Sequence, residues 1–156
     1  MTIKIAHIKI ERTFMNELLE KGQARVSWIR SRMQLLQSTQ VLFEKEKPFY
    51  KKTIGVSLHL EPKTAVLLET LKIGGAKIIG TGNLGSTQDD IVEVLKSWGM
   101  TIYGQRNTKV KEHLNNIAKI VSAKPDLLLD NGADLVEIAI KNNLAGTISG
   151  GTEETT

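Results

Sequence analysis

No cysteine occurs among the 156 residues, which excludes disulfides, thiolate metal sites and a cysteine nucleophile together. Histidine is nearly as scarce, and His7, His59 and His113 are too scattered to suggest a metal centre. Aromatic residues make up 4% of the chain, so no row of rings is available on which nucleic-acid bases could stack. No apolar run approaches the roughly 18 residues that a membrane-spanning helix requires. The opening MTIKIAHIKIERTF alternates apolar and polar residues where a secretory leader would be continuously apolar. The expectation is a cytoplasmic protein with neither membrane nor nucleic acid as a partner.

What is present fits one soluble globular unit, with 40% apolar and 24% charged residues. A chain of this length buries roughly 68–70% of the surface it exposes when unfolded, so a single core is the default. The net charge of +4 is unevenly placed. Residues 1–52 carry eleven Lys and Arg against five Asp and Glu, a balance of +6, and the remainder carries ten against twelve, a balance of −2. Because Glu is interspersed among those basic residues, they read as a solvated helix face.

From Gly22 to Lys47 there is no proline and no further glycine, and Val26, Ile29, Met33 and Leu36 fall at the spacing of one helix face. This predicts a long amphipathic helix ended by Pro48. After Lys52 the pattern changes to short β-rich runs at 53–59, 76–82, 100–104, 126–130 and 146–150. Helical patterns near 62–73, 86–98, 108–122 and 132–143 separate them, with Ser86 or Thr87 able to cap the second. Parallel strands need crossover connections, so this alternation predicts an α/β fold. Its centre is a doubly wound, mostly parallel five-stranded sheet of Rossmann or flavodoxin-like type, preceded by an N-terminal helical segment over 1–52.

Ligands of such sheets bind at the carboxyl ends of the strands. Four of the five expected ends carry polar groups: His59 and Glu61, then Asn83 and STQDD, then Asp130 and Asn131, and finally GGTEETT. Singly, these read as a structural histidine, a helix start, a turn and an acidic tail. Their convergence on one rim predicts a polar cleft. TGNLG lacks the Lys-Ser/Thr of a phosphate-binding P-loop and the spacing of a dinucleotide fingerprint. His59 and Gly104 stand where a receiver-type phosphoacceptor domain needs aspartates.

SLHLEPKTAVLLETL, GNLGSTQDD, LLLDNGADL and GGTEETT occur in that order and spacing. Together with SWIRSRM in the long helix, they make residues 22–156 resemble the N-terminal substrate-binding domain of the adenosylhomocysteinase family, in the form of its archaeal and Thermotoga-like branch. The resemblance implies NAD-dependent hydrolysis of S-adenosyl-L-homocysteine to adenosine and homocysteine. It places His59, Asp130 and Asn131 at the chemistry, with His59 moving a proton to the leaving sulfur and from the incoming water. Imidazole titrates near neutral pH and serves both directions. It places Glu61, Lys63, Asn83, Ser86, Asn131 and Glu154 against the substrate, and Thr155 and Thr156 at NAD.

Asn131 is a departure, since the family reads Asp-Asp-Gly where this chain reads Asp-Asn-Gly, and an amide cannot take up a proton as a carboxylate can. The NAD-binding Rossmann domain of the family has no counterpart in these residues, which places EETT at a junction between two domains. Three expectations follow: a substrate-binding domain inactive alone, a non-catalytic adenosine-binding or interaction module, or one half of a split enzyme completed by a partner chain. Exposed apolar surface at such a junction makes self-association an expectation as well.

Overall fold

The computed structural model describes residues 2–154, with side chains from Thr13 onward. Two helices open the chain, α1 (Thr2–Arg30) and α2 (Gln34–Glu46). The alternation that follows is β1 (Thr53–Leu58), α3 (Pro62–Ile73), β2 (Lys77–Gly82), α4 (Asp89–Ser97), β3 (Thr101–Tyr103), α5 (Val110–Ser122), β4 (Leu127–Asp130), α6 (Asp134–Lys141) and β5 (Gly150–Glu153). A 3-10 turn at Ala145–Thr147 precedes β5.

The five strands are all parallel, in the order β3-β2-β1-β4-β5. The order reverses between β1 and β4, which makes the ends of those two strands the crevice of the sheet. Side chains alternate across the strands. Ile54, Val56, Leu58 and Ile78 enter one core with Leu68, Val94 and Val26. Ile79 and Leu128 enter a second core with Ile117, Ile120 and Leu135 of α5 and α6. Helices therefore cover both faces, as the alternating pattern predicts.

The long helix expected over residues 22–47 is interrupted. Its apolar face is as read, with Val26 buried and Ile29, Met33 and Leu36 packed against the first core. The chain turns at Ser31–Met33, where Arg32 N–H donates to Ile29 O at 2.9 Å and Met33 N–H to Arg30 O at 3.1 Å. No proline or glycine marks the break. The Ser31 hydroxyl donates to Trp28 O at 2.7 Å, a local bond that competes with the helix ladder, and the Gln37 amide takes up Arg30 O. The kink lets α1 pack on α3 and α4 while α2 packs on α3.

Two boundaries also move. The fifth strand lies at Gly150–Glu153, not at 146–150, because its pairing partner is Leu127–Asp130 of β4 and not its own residue propensities. Neither Ser86 nor Thr87 caps α4, whose N-cap is Gln88. The Ser86 hydroxyl lies 2.6 Å from His59 Nδ1, and the Thr87 hydroxyl donates to Asn83 O at 2.9 Å.

At the amino end of β4, Asp126 accepts from Thr53 N–H at 2.8 Å and from Lys52 Nζ at 3.1 Å. The Thr53 amide, and after it Lys52, hold this carboxyl below its ordinary value of 3.8. A lowered native value gives stabilisation that is present above about pH 4 and is lost as pH falls through the native value. The stability gap between wild type and Asp126→Asn is therefore expected to shrink as pH is lowered from about 6 to about 3. A gap that stayed constant in thermal unfolding across that range would contradict this.

Candidate functional site

The carboxyl ends of β1, β2, β4 and β5 bring most of the expected residues together. His59 follows β1 directly and is exposed. Its Nδ1 lies 2.6 Å from Ser86 Oγ, which fixes the ring against the loop between β2 and α4. Asn83, at the end of β2, accepts from Ser57 Oγ at 3.2 Å and donates from Nδ2 to Asn131 Oδ1 at 3.0 Å. Asn131 Nδ2 donates in turn to Glu154 Oε2 at 3.1 Å. One chain of hydrogen bonds thus runs across β1, β2 and β4 to the end of β5.

The rim is held by backbone geometry. Gly132 and Ala133 are both left-handed, with φ of 91° and 60°. The successive N–H groups of this turn point to one side and form an anion-binding nest. Glu153 fills it, accepting from Gly132 N–H at 2.7 Å and Ala133 N–H at 3.3 Å. Glu154 N–H donates to Asp130 O at 2.9 Å, which sets the direction of its side chain beside Asn131.

His59, Glu61, Gly85, Ser86, Gln88, Arg106 and Glu154 line a cavity of about 320 Å³. A neighbouring groove of about 490 Å³ shares Glu61 and Gln88 and is otherwise walled by α1 through Arg25, Trp28 and Ile29, and by Pro62 and Lys63. Glu61 pairs with Lys63 at 3.3 Å, so Lys63 stands in the groove and not in the cavity with His59.

Asp130 is placed differently from the others. It is 2% exposed, and its Oδ2 accepts from Leu135 N–H at 2.9 Å and Val136 N–H at 3.2 Å, capping α6 from outside. Burial raises its carboxyl above the ordinary value, against the lowering effect of those backbone donors. In this arrangement it orients Asn131 and the helix behind it. Thr155 and Thr156 lie outside the described residues. His113 is buried on α5, with Nε2 3.2 Å from Asp134 Oδ2.

Gly85 and Gln88 lie within GNLGSTQDD without having been given a role, and Arg106 lies in none of the motifs. Arg106 stands two residues beyond Gly104, at the strand end that looked empty of polar groups. Among the described residues no group of acidic and histidine side chains could hold a metal ion, and no helix is long and apolar enough to cross a membrane.

A dinucleotide would need a helix N-terminus open to its pyrophosphate. Among the described residues α4 carries Asp89 and Asp90 in its first turn, α5 carries Glu112, α6 carries Asp134 and Glu137, and α3 follows Glu61. These carboxylates oppose an anion, so the starts of α4, α5 and α6 do not fit the pyrophosphate of NAD.

The family model for S-adenosyl-L-homocysteine hydrolase matches residues 14–155. Among curated relatives, S-inosyl-L-homocysteine hydrolase of Methanocaldococcus jannaschii is 42% identical over 142 residues, which cover 89% of this chain and 34% of the relative. Adenosylhomocysteinase of Sulfolobus acidocaldarius is 41% identical over 140 residues, with the same coverage of each. Adenosylhomocysteinase of Thermotoga maritima is 37% identical over 141 residues, covering 88% of this chain and 35% of the relative. The chain thus spans about a third of the length of these relatives, and by the match along nearly all of its own length it belongs to the S-adenosyl-L-homocysteine hydrolase family.

Proposed function

We propose that this chain is the substrate-binding part of a hydrolase acting on the thioether between homocysteine and a purine nucleoside, with S-adenosyl-L-homocysteine as its ligand. The observation that carries the reading is the convergence of His59, Ser86 and Glu154 on one cavity, backed by the hydrogen bonds from Asn83 through Asn131 to Glu154.

Each residue has a chemical task within that reading. Glu154 and Asn131 offer an acceptor and an amide to paired ribose hydroxyls. His59, steadied by Ser86, stands on the same cavity and can carry a proton between ring nitrogen and the sulfur or oxygen at the 5′ position. Glu61 and Lys63 stand toward the nucleobase. NAD supplies reversible oxidation of the ribose in the family's reaction, and the acidic starts of α4, α5 and α6 give its pyrophosphate no cradle. The chain by itself accordingly binds ligand without turning it over.

Calorimetry with S-adenosyl-L-homocysteine in the absence of NAD tests the reading, with S-inosyl-L-homocysteine as the second ligand because one matched relative carries that name. Saturable heat at one site is expected, weakened about tenfold by His59→Ala or Glu154→Gln through loss of a hydrogen bond to a charged or polar ligand group. Absence of saturable heat with either ligand would remove the proposal. Thiol release with NAD added is expected to stay at background, and since the protein has no cysteine the reagent reports homocysteine alone.

A further inference from the structure

We infer that Arg106 is the residue that recognises the amino-acid end of the ligand, by pairing its guanidinium with the ligand's α-carboxylate. The inference rests on the function proposed above and assigns a role at the same cavity to a residue that none of the sequence motifs contains.

Arg106 sits on a loop that is pinned at several points. Its own N–H donates to Asp89 Oδ1 at 2.7 Å, at the start of α4. Gln105 N–H donates to Thr108 Oγ1 at 2.8 Å, and Thr108 N–H returns a bond to Gln105 O at 3.0 Å. Gly104 is left-handed at φ 78°, and a Cβ there would lie 3.0 Å from Thr81 Oγ1, so the loop leaves β3 in close contact with β2. The side chain reaches the cavity that holds His59 and Glu154 from a fixed base.

Its charge is unanswered by the protein. Two carboxylates, Glu61 and Glu154, line the same cavity, yet among the described residues Arg106 takes part in no ion pair. Glu61 is engaged by Lys63, and Glu154 by Asn131. A guanidinium presents a planar fork of donors that matches a carboxylate bidentately. In an S-nucleosyl-homocysteine at neutral pH the α-carboxylate is the sole anion, since nucleobase, ribose and thioether are all uncharged. The arrangement therefore suits a carboxylate at the Arg106 side of the cavity.

The discriminating experiment compares a ligand with the amino-acid tail against one without it. Calorimetry is run with S-adenosyl-L-homocysteine and with adenosine, on wild type, Arg106→Gln and Arg106→Lys. Arg106→Gln is expected to weaken S-adenosyl-L-homocysteine by about tenfold and to leave adenosine unchanged, with Arg106→Lys recovering part of the loss. Equal losses for both ligands, or no loss for either while wild type still binds, would overturn the role of Arg106 and leave the proposed function standing. Wild type that binds neither ligand would overturn both.

Discussion

A Gly22→Val variant is expected to lose about 3 kcal/mol or more of folding stability, through overpacking at a site with no room to relax. Gly22 is where α1 crosses α4. A Cβ built there lies 2.3 Å from Asp90 O and 2.7 Å from Val94 Cγ2. The nearer obstacle is main chain inside a helix, so it yields only if α4 moves as a body. Alanine would gain about 1 kcal/mol of helix propensity over glycine. That gain cannot offset a contact more than half an ångström inside the closest approach that real Cβ atoms show. Moving α4 would also disturb Arg25, whose Nη1 donates to Asp90 Oδ2 at 2.6 Å and whose Nη2 donates to Gln88 Oε1 at 2.6 Å. Gln88 lines the cavity, so ligand binding is expected to fall with stability. Urea unfolding of Gly22→Ala and Gly22→Val measures the effect, and wild-type midpoints for both would mean that the helices do not touch at this position.

Asp130→Ala is expected to cost about 2–3 kcal/mol, because it leaves the buried Leu135 N–H and the partly buried Val136 N–H of α6 without an acceptor. Leu135 is fully buried, so water cannot replace the carboxylate there. The opposing effect is the cost of keeping a carboxylate at 2% exposure, which is why burial raises its carboxyl above the ordinary value. A raised native value gives a contribution that is present below the unfolded value and is lost as pH rises through the native one. The gap between wild type and Asp130→Ala is therefore expected to narrow as pH rises from about 4 toward 7. Asp126, at the other end of the same strand, has a lowered carboxyl and the opposite sign. Circular dichroism melts of the two single variants over one pH series separate these trends, and parallel trends would refute the assignment for Asp130.

The strands with Ile, Val and Leu interiors were legible in the sequence because burial on both faces demands such runs. The helix at 62–73 was legible to the residue, since Pro62 and Gly74 bracket it. The fifth strand was not. Ile148 reads as strand, yet GGTE forms it, because a parallel partner and not intrinsic preference decides which residues pair. The caps of α4 were misread for a similar reason: the hydroxyls of Ser86 and Thr87 are spent on His59 and Asn83. At the site, polar residues immediately after a strand were visible and Arg106 was not, because glycine at 104 hid a loop that folds back. The direction of Asp130 could not be read either, since one-residue alternation decides between cavity and core.

The strand that supplies Glu154's position is the most weakly buried part of the site. Every residue of β5 is exposed, and it pairs on one side only, along β4. At the rim it is held further by the Glu153 carboxylate seated on Gly132 and Ala133 and by the bonds of Glu154 to Asp130 O and Asn131. An element with so little buried surface opens locally at far lower free energy than the sheet behind it. The edge that carries Glu154 can thereby detach while both cores stay intact, and under the proposed function the population of the closed edge would set how much of the intrinsic affinity is realised.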